Sequence, residues 1–118
     1  MENSEISALK EKLRKFANDR DWDQFHSPKN LSMALSVEVA EIVEHFQWLT
    51  EEQSNNLSQD KLTDIESELA DTFIYLIRLA DQLGIDLLEA AKNKININEQ
   101  KYPVEKVKGS AKKYTEYE

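Results

Sequence analysis

Apolar residues recur along most of the chain at intervals of three and four, the period of helices that pack by one face. Ile6, Leu9, Leu13 and Phe16 mark a first helix over about 4–20, which stops before Asp21-Trp22-Asp23. Ser27-Pro28 is a start signal, with Ser as N-cap and Pro at the first helical position, where its missing N–H is no loss. A second helix then runs to about residue 49, its apolar stripe centred on Leu31, Leu35, Ile42 and Phe46. A polar loop extends from Thr50 through Asn55-Asn56. Ser58 caps a third helix with the stripe Leu62, Ile65, Leu69, Leu76 and Leu83, and Gly84 ends it. Asp86 caps a fourth helix that ends near Tyr102, because Pro103 cannot continue it. Residues 104–118 read as a loosely packed tail. The pattern predicts an all-α fold, a four-to-five-helix bundle in a single domain spanning 1–118.

Composition supports the helical reading and narrows the function. Two glycines and two prolines in 118 residues leave little turn chemistry for a β-rich fold. The 15 Lys and Arg against 23 Asp and Glu give a net charge of -8, which argues against a nucleic-acid polymer as partner, since a phosphate backbone needs a basic face. With no long apolar run and no charged-then-apolar leader, neither a membrane span nor a signal peptide is expected. The absence of cysteine removes disulfides, thiolate catalysis and Cys-based zinc sites together, and fits a reducing cytoplasm. Phe73, Ile74, Tyr75, Leu76 and Ile77 make the middle of the third helix apolar nearly all round, more than one buried face requires. Burial against another subunit, as a dimer or higher oligomer, is the simplest account; a helix at the centre of a monomeric bundle is the alternative.

The second and third helices each carry an acidic pair at i, i+3 spacing, Glu38-x-x-Glu41 and Glu68-x-x-Asp71. At about 100° per residue, the first acid of each pair falls roughly 60° from the centre of its apolar stripe and the second roughly 120°, on the same side. If the two helices pack side by side, four carboxylates converge at the edge of their interface. Like charges that close raise one another's pKa, and nearby cations are scarce: none on the second helix after Lys29, only Lys61 and Arg78 on the third. A hard divalent cation resolves the conflict, and oxygen ligands suit Mg²⁺ or Mn²⁺. The spacing leaves a second reading open, ordinary solvated acids on an acid-rich protein. Trp48, seven residues beyond Glu41, and Tyr75, four beyond Asp71, edge the polar cluster, and Trp22 precedes the second helix. These aromatics are either core residues with satisfied polar tips or a stacking slot for a nucleobase.

Glu38-Val39-Ala40-Glu41, followed after 26 intervening residues by Glu68-Leu69-Ala70-Asp71, resembles the paired metal motifs of the MazG-like, all-α nucleoside triphosphate pyrophosphohydrolases. Three further segments, Arg20-Asp21-Trp22-Asp23-Gln24-Phe25-His26, Phe46-Gln47-Trp48 and Lys113-Tyr114-Thr115-Glu116, are similar to the dCTP pyrophosphatase branch. The likeness covers roughly residues 6–116. It implies a helical subunit assembling as a dimer or dimer of dimers, with sites between helices of neighbouring subunits. It also implies Mg²⁺-dependent hydrolysis between the α- and β-phosphates to a nucleoside monophosphate and pyrophosphate, with dCTP or a related deoxynucleotide preferred. Glu38, Glu41, Glu68 and Asp71 match the family's metal ligands, with Glu41 the first choice and Glu44 the second to orient the attacking water. Trp22, His26, Trp48 and Tyr75 match substrate-contacting positions, the two Trp lining the base slot. Asn98 matches an Asn near the substrate; Lys101, Lys112 and Lys113 either hold the polyphosphate or form a solvated basic tail. Leu13 stands where some relatives carry a substrate-facing His, and Ser67 where many have a further Glu. Two other functions remain in view: a metal-stabilised helical binding module without turnover, and a broad-specificity nucleotide pyrophosphatase.

Overall fold

The computed structural model describes residues 4–111 and 115. Among these residues the chain is helical, with no strand. α1 (Ser4–Asp19) leads through a 3₁₀ turn at Asp23–Phe25 into α2 (Pro28–Phe46). A short α3 (Glu51–Ser54) separates it from the longest helix, α4 (Gln59–Gln82), which is followed by α5 (Leu87–Lys101) and a single turn, α6 (Val104–Val107). No helix among the described residues is long and apolar enough to cross a membrane.

The caps act as their residue types require. The Ser27 and Ser58 side chains accept from the N–H groups of Asn30 and Lys61, and Asp86 accepts from that of Glu89. Each satisfies a donor that the first helical turn leaves without a backbone partner. Gly84 follows the C-terminus of α4 with φ 68°, a conformation nearly free of steric cost only for glycine.

Two boundaries differ from the sequence expectation. α2 ends at Phe46 rather than near 49, and the stretch expected to be a polar loop contains α3. One motif explains both. Thr50 and Gln53 form a reciprocal capping box, which requires Thr50 to be extended (φ −75°, ψ 165°), so the chain must leave α2 beforehand. Trp48 consequently lies in the turn after α2 and does not continue the helical face of Glu41.

α4 is the central element: α2 packs along it extensively and α1 to a smaller extent, while α5 touches the other helices only marginally. Among the described residues the buried apolar side chains are Ala17, Leu31, Ile65, Ile77 and Ala80, a thin seam where α1, α2 and α4 meet. Stripe residues Leu62, Leu69 and Leu83 remain exposed, as do Phe73 and Ile74 at the middle of α4. Arg78, only 5% exposed, is buried among the apolar residues of the same helix.

Candidate functional site

α2 and α4 lie side by side, and their packing brings the acids together. One carboxylate oxygen each from Glu38, Glu41 and Glu68 lies within 4.8 Å of the others. Glu38 Oε2 and Glu68 Oε2 are shut off from water and have no hydrogen-bond partner. Four effects hold Glu38 above the ordinary carboxylate range: burial first, then the charge and the hydrogen bond of Glu41, then the charge of Asp71. Glu68 is pushed up to about 7, chiefly by the hydrogen bond in which its protonated carboxyl donates to Glu41, with burial and the charges of Glu41, Glu38 and Asp71 adding to it. Without a counterion these acids suppress one another's ionisation.

A divalent cation would relieve that conflict, and the donor set fits one. All available ligand atoms are oxygens, two of them are buried without any proton donor, and neither cysteine nor histidine belongs to the group. Hard-oxygen sets of this kind suit cations of the Mg²⁺ class. Glu41 and Glu68 also line an open cavity of about 510 Å³ with Glu44, His45 and Lys61, so the cluster is reachable from solvent.

Asp71, exposed on α4, connects this cluster to a second cavity. Its charge acts on both Glu38 and Glu68, and its side chain lines a pocket of about 320 Å³ with Phe16, Trp22, His26, Tyr75 and Arg78. Trp22 meets Phe16 edge to face at 5.6 Å and tilts over His26 at 6.1 Å between ring centroids. Arg20 sits over the other aromatic partner, 3.6 Å from the centre of the Phe16 ring. Leu13, at the position where some relatives have His, contributes apolar wall. The result is an aromatic slot opening beside an acidic cluster.

His26 is held at both ends. Arg78 Nη2 lies 3.3 Å from its Nδ1 while donating to Asp23 Oδ1 at 3.2 Å, and Gln82 Nε2 donates to the His26 carbonyl at 3.0 Å. Behind Arg78, Asp81 receives two hydrogen bonds from Arg14, at 2.6 and 2.7 Å, which hold its carboxyl below the usual range.

The residues singled out from the sequence therefore separate into two groups. Glu38, Glu41 and Glu68 gather on one side of the α2–α4 seam, whereas Asp71, expected as a fourth ligand, stands outside that trio and lines the pocket of Trp22, His26 and Tyr75. Trp48, 87% exposed, and Asn98, exposed on α5, line neither cavity within a single copy. Lys101 is exposed at the end of α5, while Lys112 and Lys113 lie outside the described residues, as does all but Thr115 of the segment Lys113-Tyr114-Thr115-Glu116. Arg78 and Asp23 were visible in the sequence, as a scarce cation and as part of a shared segment, but neither was expected in the site. Their signal was available: Arg78 is seven residues beyond Asp71, two helical turns along the same face, and is a cation set between Ile77 and Leu79.

Comparison with known proteins agrees with this architecture. A model of the MazG-like family matches residues 33–117. The chain is 42% identical over 103 residues to dCTP pyrophosphatase 1 of Homo sapiens and 45% identical over 103 residues to that of Rattus norvegicus, covering 86% of this chain and 61% of each relative. It thus spans about three fifths of these relatives' own length. A crystal structure of a pyrophosphatase from Archaeoglobus fulgidus superposes with a TM-score of 0.81 at 38% identity, covering 87% of this chain and 96% of that one.

Proposed function

The chain belongs to the MazG-like family, and from that premise we propose that it is a deoxynucleoside triphosphate pyrophosphohydrolase acting on dCTP or a close relative. It adds water across the α–β phosphoanhydride and releases the monophosphate and pyrophosphate. One observation carries the reading: Asp71 belongs electrostatically to the Glu38–Glu41–Glu68 cluster and also walls the aromatic slot of Trp22, His26 and Tyr75. A molecule with a planar base at one end and a polyphosphate at the other matches both halves. The names of the similar proteins, dCTP pyrophosphatase and pyrophosphatase, point the same way.

In this reading Glu38, Glu41, Glu68 and Asp71 hold Mg²⁺, for which Mn²⁺ can substitute. The chemistry such a cation supplies is neutralisation of carboxylate and phosphate charge together, without which a triphosphate would be repelled by a chain of net charge -8. Glu41 orients the attacking water and takes its proton, with Glu44 the second choice. Trp22 and Tyr75 stack on the base, and the surrounding apolar wall excludes water from it. Asn98 and Lys101 approach the ligand only if α5, which stands away from the helical core, is docked against it.

We further propose that the active form is a homodimer or homotetramer in the cytoplasm. The described chain has a radius of gyration of 17.9 Å, against about 13.5 Å for a compact chain of this length. Its 9178 Å² of accessible surface is well above the roughly 6,600 Å² of a compact monomer of its mass, and the excess is of the size that an obligate homo-oligomeric interface covers. Assembly would also give Trp48, 87% exposed and covered by nothing among the described residues of its own copy, a surface to meet.

The test is product analysis by ³¹P NMR with dCTP, dUTP, dTTP and dATP in the presence of Mg²⁺. The expected result is pyrophosphate and monophosphate, fastest from dCTP, with Glu41→Gln at least 100-fold slower, the usual scale of a lost general base. Orthophosphate would indicate a different cleavage, similar rates on all four a broad-specificity enzyme, and no turnover a binding module.

A further inference from the structure

Arg78 is a fully charged side chain placed where an α-helix normally buries leucine, so its partners define what it does. It touches three groups. Its Nη2 donates to Asp23 and meets His26 Nδ1 at 3.3 Å, and its Nη1 lies 3.8 Å from Asp81, a carboxylate already satisfied by Arg14. A guanidinium has five N–H donors and no acceptor, and it keeps its proton throughout the working range. Whatever faces Nη2 must accept. His26 Nδ1 is therefore an unprotonated nitrogen, and in a neutral imidazole the proton then resides on Nε2. Burial and the Arg78 charge both hold His26 below its ordinary pKa, against a smaller opposing pull from Asp23, which keeps the ring neutral near pH 7. Nε2 has no hydrogen-bond partner among the described residues, and His26 lines the aromatic slot.

We propose that Arg78 is a positioning residue that locks His26 in the Nε2–H form, so that the slot beside Asp71 presents a hydrogen-bond donor and selects ligands bearing an acceptor at that point. For a pyrimidine nucleotide the acceptors are the ring carbonyl and, in cytosine, the unprotonated ring nitrogen. The identity of the ligand rests on the hydrolase reading above; the tautomer does not. Asp23 completes the device by binding the same Nη2, which keeps the guanidinium from swinging away from the ring. Gln82 fixes the backbone of His26 from the other side.

The test begins with the unaltered protein. Long-range ¹H–¹⁵N correlation spectra of its histidine rings, with the two histidines told apart by a His45→Gln variant, should show His26 protonated at Nε2 and bare at Nδ1 near pH 7.5. An Nδ1–H ring or an imidazolium would overturn the proposal with no need for a variant to fold. In Arg78→Met the preference should be lost and the two tautomers mixed. Arg78→Lys, which keeps a charged donor, should restore it at least in part. A His26 spectrum unchanged in Arg78→Met would equally overturn the assignment. With dCTP as substrate, Arg78→Met should raise KM about twofold, since a mixed tautomer population leaves about half the rings able to donate from Nε2, with a smaller change in kcat, and Arg78→Lys should recover part of it. A loss confined to kcat would contradict a role in ligand selection. Failure to turn over dCTP at all would count against the hydrolase reading while leaving the tautomer measurement intact.

Discussion

Glu68 is the residue on which the electrostatics of the site turn. Its pKa is raised from the ordinary 4.5 to about 7, so between those limits the folded chain holds a proton that the unfolded chain has released. Folding takes up protons there, and the Glu68 contribution to stability is present in full below about pH 4.5 and is lost as pH rises through about 7. His26 has the opposite sign below its ordinary 6.5, because its folded pKa is lowered. The clean readout is therefore the difference between the unaltered protein and Glu68→Gln in chelator. The variant should gain thermal stability relative to the parent as pH is raised from 5 to 8, and a constant difference would refute the origin assigned to the shift. At this scale helical spacing was informative in part: Glu38 and Glu41, paired at i, i+3 on α2, lie near Glu68 of α4, while Asp71, the i, i+3 partner of Glu68, is not in that trio. Arg78 was legible only as a nearby cation, because its burial depends on partners 52 and 55 positions away in the chain, His26 and Asp23.

At the scale of elements, most boundaries were legible because they are made locally. Ser27-Pro28, Ser58, Gly84 and Asp86 start or stop helices through contacts within a few residues, and the structure uses each as its chemistry suggests. α3 was missed although Thr50-x-x-Gln53 carries a capping-box signature, since a four-residue helix has no apolar period to detect. That miss displaced the end of α2 and with it Trp48. Gly84 gives a direct check on the local argument. A Cβ there would meet nothing within 4 Å, so Gly84→Ala bears only the backbone strain of φ 68°. The substitution should lower unfolding stability by about 1 kcal/mol, read from the urea midpoint at unchanged slope, with dCTP turnover per folded molecule unaffected. An equal or higher midpoint would contradict the C-terminal role of this glycine.

For the whole molecule, the main question is what covers the apolar surface. Phe73 is 43% exposed at the middle of α4, and Ile95 is 57% exposed on α5, a helix that contributes little to the core of its own copy. The all-round apolar middle of α4 was visible in the sequence, whereas which faces meet which partner was not, because a repeat period reports that a face is buried and not what buries it. Sedimentation should give a dimer or tetramer mass, with Phe73→Lys shifting it downward while helix content is kept; a monomeric parent protein would remove the proposed assembly and leave Trp48 without a role. The proposed hydrolysis requires the carboxylates of α2 and α4 to form a cation site. The most direct measurement is calorimetric titration of Mg²⁺ into the metal-free protein at pH 6 and pH 8, beside Glu68→Gln. Saturable binding that tightens at the higher pH, with proton release at the lower, and loss of that binding in Glu68→Gln is the expected result. Absence of binding in the parent protein, or binding equally tight in the variant, would contradict it.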